Sequence, residues 1–286
     1  MLQRSTIQLL RFHFSVFLLP VYLFALSQVH IINWPYTLLA FFILHVLVYP
    51  SSNGYNSYMD RDTGPIGGIE KPLQPTRQLF YVSIIMDAIA VLASLIISIY
   101  FAAGILLYIL ASRAYSYRGI RLKKYPITGY LIVVLCQGAL IFFLSYHASS
   151  QPHELHVPVW GMIAAAGLIG GYYPLTQIYQ HAEDEADGVR TISYVLGKRG
   201  TFVFCAVVFT ISTIAMFMLF NQEGQPWLFY LFIACMGPMV WFFIQWMLKV
   251  WKNEQQANFR NSLKMNVLAA VCTTVCFLIM IINKAI

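Results

Sequence analysis

Apolar segments of about 20 residues alternate with short polar segments along the whole chain. A helix must be about this long to cross a hydrocarbon core that is roughly 30 Å thick. The strands of a membrane barrel would instead produce short segments of alternating polarity, which this pattern does not contain. We therefore predict nine membrane-spanning helices. They cover residues 8–28, 34–52, 79–100, 102–117, 127–147, 158–179, 201–220, 227–249 and 264–284.

The composition supports an all-α integral membrane protein. Of the 286 residues, 59% are hydrophobic and only 10% are charged, whereas a soluble domain has about 45–50% apolar and about 25% charged residues. No small-residue cleavage site follows the first apolar segment, which favours a retained helix over a signal peptide. Because no long polar segment separates the spans, we predict a single transmembrane domain over residues 1–286.

Basic residues are confined to one predicted side of the membrane. Every lysine and arginine except Lys284 lies in the N-terminal segment or at the loops after spans 2, 4, 6 and 8. Cytoplasmic segments carry such an excess, so we predict a cytoplasmic N-terminus and a C-terminus outside. We interpret the membrane as a bacterial inner membrane. The net charge of +7 suits anionic lipid head groups, and no soluble basic module indicates nucleic-acid binding.

Acidic residues follow two of the predicted spans directly. The first cluster, after span 2, consists of Asp60, Asp62 and Glu70, and the second, after span 6, consists of Glu183, Asp184, Glu185 and Asp187. A polar helix end explains one such cluster as well as a functional site does, since charged side chains reach the interface at little cost. Two clusters on the same predicted side favour a functional site.

Amide side chains precede the two clusters at the same spacing. If the spans continue as helices, each set lies on one helix face at i, i+3 and i+7 in the order amide, amide, carboxylate. The two sets are Asn53, Asn56 and Asp60, and Gln177, Gln180 and Asp184. Oxygen ligands of this kind suit Mg²⁺, which usually joins a few carboxylates to substrate phosphates. Neighbouring lysines and arginines suit the same phosphates.

The first set resembles a motif of the UbiA-type intramembrane prenyltransferases, which reads N-D-x-x-D-x-x-x-D. The stretch "NSYMDRDTG" covers residues 56–64. Asn56 and Asp60 match the motif, whereas Ser57 and Gly64 stand where the family has aspartate. Asp62 lies two residues out of register and is a candidate substitute for the last aspartate.

Two further stretches strengthen the resemblance. The stretch "QHAEDEADGVRT", residues 180–191, is similar to the family's D-x-x-x-D followed by glycine and a basic–threonine pair. Gln180 replaces its first aspartate. The stretch "YSYRGIRLKKYP", residues 115–126, is similar to a segment of members that prenylate chlorophyll-type acceptors.

The resemblance implies one helix bundle around a central cavity, with the active site at the cytoplasmic face. It implies Mg²⁺-dependent transfer of an isoprenoid from an allylic polyprenyl diphosphate to a lipophilic, aromatic acceptor, with Asp60 and Asp184 as the catalytic carboxylates. The implied metal ligands are Asn56, Asp60, Gln180 and Asp184. The implied diphosphate ligands are Lys71, Arg121, Lys123 and Arg190. Further candidates for the site are Asn53, Asp62, Tyr115, Gln177 and His181.

Two alternatives to this enzyme stay open. The missing carboxylates at positions 57, 64 and 180 favour a degenerate relative that binds a lipid or isoprenoid intermediate without catalysis. A secondary transporter is the weaker alternative, because the charges cluster at one face instead of at broken helices near the midplane. Asp87 needs a separate account, since an ionisable residue inside a span is either functional or paired. Turn residues in the loop 61–78 predict that this loop covers the site.

Overall fold

The computed structural model describes residues 1–285, and within them the regular secondary structure is helical apart from two isolated β-bridges. We number the helices in chain order. They are α1 Arg4–Gln28, α2 Trp34–Asp60, α3 Arg77–Ser94, α4 Ile99–Ser116, α5 Pro126–Ser149, α6 Val159–Gln177, α7 His181–Ala186, α8 Ile192–Gln222, α9 Trp227–Lys252 and α10 Phe259–Ala285. Short 3₁₀ turns, Leu122–Lys124 and Glu254–Gln256, lie in two of the connecting loops.

Eight of these helices, all except α6 and the short α7, are long and apolar enough to cross a membrane. Each coincides with a span predicted from the sequence, so the all-helical membrane fold is confirmed over the residues described. Helix α6 coincides with the predicted span 158–179, but its four glycines, two tyrosines and internal Pro174 make it less apolar. The count of nine spans and the orientation of the termini stay predictions.

Small residues let neighbouring helices approach α6 closely. A Cβ added to Gly138 of α5 would lie 2.5 Å from Cα of Ala166, and one added to Gly167 would lie 3.0 Å from Cα of Ser212 in α8. Oγ of Ser212 also donates to the carbonyl oxygen of Ala164 at 2.8 Å. Contacts between small residues are a common way for membrane helices to pack. Helix α6 is thereby held between α5 and α8, where it can line a central cavity.

Helix α2 continues through the first acidic motif. It reaches Asp60 and ends where Arg61 adopts a left-handed backbone conformation with φ 54°. Asn53, Asn56 and Asp60 therefore share one helix face, as the sequence spacing predicts.

The corresponding prediction for the second motif is wrong, because α6 does not continue. It ends at Gln177, and a turn through Gln180 (φ −97°, ψ 1°) separates it from α7, on which Asp184 lies. Pro174 lacks a backbone N–H and weakens the last turn of α6. The polar residues that follow form a separate short helix outside the apolar interior.

Helix α1 is interrupted near Arg11. The left-handed backbone of this residue (φ 49°) separates the helical turns of Arg4–Leu9 from the 3₁₀ segment Phe12–Phe17, and the helix resumes at Leu19–Gln28. Nη2 of Arg11 donates to the carbonyl oxygen of Asn53 at 3.3 Å. The interruption thereby brings a buried guanidinium to the first motif.

The loop between α2 and α3 is packed against the bundle. Ile66 and Ile69 exchange two backbone hydrogen bonds, of 2.9 and 2.7 Å, and both side chains are buried against leucines of α1 and α3. Oε1 of Gln8 accepts a hydrogen bond from the N–H of Leu73 at 2.8 Å. Because the loop is held at these points, it forms a fixed wall of the cavity mouth in this structure.

Asp87, the acidic residue inside the third predicted span, is paired. The guanidinium of Arg113 in α4 forms an ion pair with Asp87 in α3, and Oγ of Ser51 in α2 donates to Oδ1 of Asp87 at 2.6 Å. The same guanidinium lies over the ring of Tyr55, 4.1 Å from its centroid. These contacts join three helices and favour the structural interpretation of Asp87.

Candidate active site

A cavity of about 270 Å³ opens between α1, α2, α4, α5, α6 and α10, at the end of the bundle that carries the acidic loops. Its mouth is polar and is lined by Asn53, Asn56, Asp60, Lys123, Gln180 and Asp184. Its deeper walls are apolar and aromatic and include Leu18, Val21, Tyr108, Val133, Leu168 and Tyr172. A ligand with a charged head and an apolar tail matches this division.

Asp60 is the central carboxylate of the mouth. Its side chain is only 4% exposed, and Oδ2 accepts a hydrogen bond from Nδ2 of Asn56 at 2.9 Å. Nδ2 of Asn56 also lies 3.0 Å from Oγ of Ser116 in α4. This network fixes the Asp60 side chain, because Asn56 lies one helical turn earlier on the same face of α2.

The loop after α4 places two cations beside Asp60. Nζ of Lys123 lies 2.6 Å from Oδ2, and Nη2 of Arg121 lies 3.7 Å from Oδ1. Arg121 also forms an ion pair with Asp187, which follows α7. Nε of Arg118 donates to the carbonyl oxygen of Met59 at 2.7 Å and anchors the loop to the end of α2. Arg121 and Lys123, two of the predicted diphosphate ligands, thus lie beside the first acidic motif, and their role as ligands stays a prediction.

The second acidic segment reaches the same mouth through a different backbone path. Gln177 at the end of α6, Gln180 in the turn and Asp184 in α7 all line the cavity. Nε2 of Gln180 donates to the carbonyl oxygen of Pro65 at 3.1 Å, which ties this segment to the loop after α2. The two motifs are thus brought together although their backbones are not equivalent.

Several buried oxygens at this mouth lack a hydrogen-bond partner. They are Oδ1 of Asp60, Oδ2 of Asp184 and Oε1 of Gln177. Burying polar oxygens without partners is costly, and a cation that takes oxygen ligands would remove that cost. The residues present therefore fit Mg²⁺. Within residues 1–285, no group of three or more His, Cys, Asp and Glu side chains has the arrangement of a metal site.

One carboxyl group in each acidic segment has a raised pKa. Burial raises the pKa of Asp184 to about 7 and the pKa of Asp62 to about 6. The Lys123 ammonium opposes both shifts, whereas the carboxylates of Asp60 and Glu183 add to them. The mouth therefore concentrates more negative charge than its own lysine balances, and a divalent cation would favour the ionised forms.

Two predicted diphosphate ligands lie apart from the mouth. Lys71 and Arg190 are exposed and do not line the cavity. Lys71 follows the turn at Ile66–Ile69, and its carbonyl oxygen faces Nε2 of Gln8 on the outer side of α1. Because the structure does not bring either side chain to the carboxylates, their role at the site stays a prediction.

His181 also lies outside the cavity. Its Nε2 is 2.8 Å from Oγ of Ser193, a hydrogen bond that links α7 to α8. Burial lowers the pKa of His181 to about 4, and the charge of Lys198 adds to this effect. The imidazole is therefore neutral near pH 7, and its observed contact is between helices.

Tyr115 lies in the cavity wall, where its hydroxyl is hydrogen-bonded to that of Tyr173 in α6. Sequence reasoning did not find Ser116 or Arg11 as parts of the site. Arg11 had a usable signal, since it is a charged residue inside a predicted span. Ser116 had none, because serines occur throughout the chain and their facing directions depend on helix packing.

The fold and the site define a class: helical membrane proteins in which polar loops surround the mouth of an apolar cavity. Residues 16–281 match the model of the UbiA prenyltransferase family, and the chain therefore belongs to that family. The resemblance that the motifs indicated is confirmed.

Relatives agree with this assignment. The bacteriochlorophyll synthase 33 kDa chain of Cereibacter sphaeroides is 23% identical over 199 residues, which cover 68% of this chain and 66% of that protein, slightly less than two thirds of its length. The structure of a UbiA homologue from Archaeoglobus fulgidus bound to DMAPP and Mg²⁺ has a TM-score of 0.72 at 17% identity and covers 96% of this chain and 99% of that chain. An apo UbiA homologue from Aeropyrum pernix K1 has a TM-score of 0.73 at 15% identity, with coverage of 94% and 98%. At these identities the two structures show a shared fold.

Proposed function

We propose that this protein transfers an isoprenoid group from an allylic polyprenyl diphosphate to a lipophilic, aromatic acceptor within the membrane, in a reaction that depends on Mg²⁺. One observation carries the proposal: buried carboxylate oxygens without hydrogen-bond partners and two cationic side chains meet at the mouth of a cavity with apolar and tyrosine-lined walls. A diphosphate head with its metal fits the mouth, and an isoprenoid tail fits the walls.

Asp60 and Asp184 would hold Mg²⁺, with amide oxygens of Asn56, Gln177 and Gln180 completing the set directly or through water. Bound Mg²⁺ would stabilise the charge that develops on the diphosphate as it leaves. Lys123 and Arg121 would bind the diphosphate oxygens, since both cations already lie beside Asp60. The protein's own cations thus act where negative charge increases in the transition state.

The cavity walls would protect the allylic cation from water. Tyrosine rings line the cavity on α4 and α6, and an aromatic face attracts a cation through its quadrupole. The hydroxyl groups of Tyr115 and Tyr173 are hydrogen-bonded to each other, which orients their rings next to the mouth. The proposed chemistry therefore takes place where the polar mouth meets the aromatic wall.

The aromatic acceptor is supported by the segment at 115–126 and by the curated relative, whose name is that of a bacteriochlorophyll synthase. The distribution of basic residues supports a cytoplasmic mouth. The isoprenoid donor is supported by the structure of the Archaeoglobus homologue with DMAPP.

A direct test uses purified protein in lipid nanodiscs. Radiolabelled dimethylallyl, geranyl, farnesyl and geranylgeranyl diphosphates are incubated with a panel of aromatic acceptors, in Mg²⁺ or EDTA. We expect a labelled lipid product that requires Mg²⁺ and disappears in Asp60→Ala and Asp184→Ala. Glu254→Ala is the matched control, because Glu254 is an exposed acid, 53% accessible, paired with Arg199 at the same end of the bundle.

The missing carboxylates at positions 57, 64 and 180 favour one second candidate, a relative that binds isoprenoid ligands without transferring them. Ser57 is buried and does not line the cavity, so that position supplies no metal ligand at the mouth. Mg²⁺-dependent diphosphate binding with no product from any donor and acceptor pair would support this candidate over the enzyme. Absence of diphosphate binding would contradict both.

A further inference from the structure

Gly64 and Glu183 meet beside the cavity; neither lines it, but each lies within two residues of an acid that does, Asp62 or Asp184. A Cβ added to Gly64 would overlap Oε1 of Glu183 and lie 2.8 Å from Oε2. The carboxylate of Glu183, which is carried by α7, thus fills the position where a side chain of residue 64 would begin. Gly64 is a place where the motif of the resembled family has aspartate.

The contact belongs to a junction between the two acidic segments. One residue further along the first loop, the carbonyl oxygen of Pro65 accepts the hydrogen bond from Nε2 of Gln180. Gln180 precedes α7 directly, so the start of α7 is held against the loop at this point. The position of the Glu183 carboxylate follows from this junction.

Glu183 differs from the other acids of its segment in its partners. Asp187 is paired with Arg121, and Glu185 accepts a hydrogen bond from the hydroxyl of Tyr194 at 2.7 Å. Within residues 1–285, no lysine, arginine or histidine forms an ion pair with Glu183. Its carboxylate is therefore available to a cation.

The neighbouring carboxylates supply an independent sign of a cation at this place. Oδ1 of Asp60, on a side chain that is 4% exposed, and Oδ2 of Asp184 are both buried without a hydrogen-bond partner, although Nη2 of Arg121 lies 3.7 Å from Oδ1 of Asp60. A further carboxylate beside them would add repulsion unless a cation is shared.

We propose that Glu183 supplies, from the second acidic segment, the carboxylate that Gly64 does not supply from the first, and that it binds the Mg²⁺–diphosphate unit directly or through a metal-bound water. This inference rests on the proposed function, since it assigns a further ligand to the same site. It explains how the site keeps a carboxylate although residue 64 is glycine instead of aspartate. The glycine leaves space for the longer side chain of Glu183 from the facing segment.

The test measures metal binding and needs no turnover. Mn²⁺ replaces Mg²⁺ as the probe, and its binding to the full chain in nanodiscs is followed by electron paramagnetic resonance with inorganic diphosphate present. Glu183→Gln should weaken Mn²⁺ binding by about tenfold or more, the size expected when a group that supports a metal is lost. Glu185→Gln is the matched control on the same short helix and should bind as the wild type does.

Relocating the carboxylate makes the test specific. The backbone of Gly64 is not left-handed, so an aspartate fits there once the Glu183 side chain is removed. The double variant Gly64→Asp/Glu183→Ala should bind Mn²⁺ with an affinity within about threefold of the wild type. Glu183→Ala alone should keep the loss of about tenfold or more that is expected for Glu183→Gln. Gly64→Ala should also weaken binding, because its methyl group displaces the Glu183 carboxylate without removing a charge.

The outcomes separate this inference from the proposed function. If the wild type binds Mn²⁺ with diphosphate and Glu183→Gln binds equally well, Glu183 has no part in the site and only the inference is overturned. The same holds if the double variant binds no better than Glu183→Ala. If the wild type binds no Mn²⁺ with diphosphate at millimolar concentrations, the proposed function is overturned together with the inference.

Discussion

Nζ of Lys123 lies 2.6 Å from Oδ2 of Asp60, and both side chains are largely buried. The pair joins the loop after α4 to the end of α2. It places an ammonium group in direct contact with the central carboxylate, closer than the Arg121 guanidinium. A lysine in this place neutralises part of the acidic mouth when no ligand is bound. It can also contact a diphosphate, because it lines the cavity.

Lys123→Met should therefore raise the KM for the diphosphate by about 10- to 100-fold, since the loss of one buried cationic partner costs several kcal/mol of which Arg121 recovers part. The measurement is initial rate against diphosphate concentration at saturating Mg²⁺, with equilibrium binding in parallel. Lys124→Met is the matched control, because Lys124 is adjacent but exposed, with Nζ 5.0 Å from the ring centroid of Tyr125. Equal effects of the two substitutions would show that Lys123 contributes only bulk charge.

The affinity for Mg²⁺ should increase with pH between about 6 and 8. The pKa of Asp184 is raised to about 7 and that of Asp62 to about 6, primarily by burial. Below these values the carboxyls are protonated, and protons compete with the metal for the same oxygens. The apparent Mg²⁺ activation constant should therefore fall by up to about tenfold per pH unit on approach to pH 7 and then level off. A constant that does not change over this range would contradict the proposed role of these carboxylates.

The Mg²⁺ requirement itself should be high. Ser57 and Gln180 stand where the resembled motifs have carboxylates, and amides or neutral groups bind a hard cation more weakly than carboxylates do. We expect half-maximal activity in about the millimolar range of Mg²⁺, and Gln180→Asp should lower that concentration severalfold. Titration of activity with Mg²⁺ in buffered EDTA checks both statements. Saturation at micromolar Mg²⁺ in the wild type would show that the site has ligands we have not identified.

The sequence predicts the membrane helices and the first acidic motif well, because both depend on local periodicity. Hydropathy determines where a helix can cross a membrane, and the i, i+3, i+7 spacing determines which face carries Asn53, Asn56 and Asp60. Helix α2 continues through that motif, so the local pattern was sufficient. The same reasoning failed at the second motif, where a proline in the last turn and a change of chain direction after Gln177 replaced the helix with a turn.

Contacts between distant segments could not be derived in this way. Lys71 and Lys123 look equivalent in sequence, as each follows an acidic or polar motif, yet only Lys123 lines the cavity. The difference arises from the path of the loop after α2: Ile66 and Gly67 line the cavity, whereas Lys71, beyond that turn, lies by Gln8 on the outer side of α1. The contact between Glu183 and Gly64 likewise depends on how α7 is held against that loop.

The buried ion pair between Asp87 and Arg113 should stabilise the fold without setting substrate affinity. Neither residue lines the cavity, and each side chain is less than 15% exposed. Asp87→Ala should lower the free energy of unfolding by about 3–5 kcal/mol, because it leaves a buried guanidinium without its carboxylate. Replacing both residues, as in Asp87→Leu/Arg113→Met, should cost much less than the sum of the two single substitutions.

Thermal or denaturant unfolding in detergent gives the four stabilities of this double-mutant cycle, and diphosphate binding at a permissive temperature separates folding from function. We expect KM for the diphosphate within about threefold of the wild type in each folded variant, since substitutions away from a site change it little. A large loss of diphosphate affinity in Asp87→Asn at unchanged stability would instead assign the pair to the active site. Additive stabilities in the cycle would show that the two charges do not interact, contrary to the contact that joins α3 to α4.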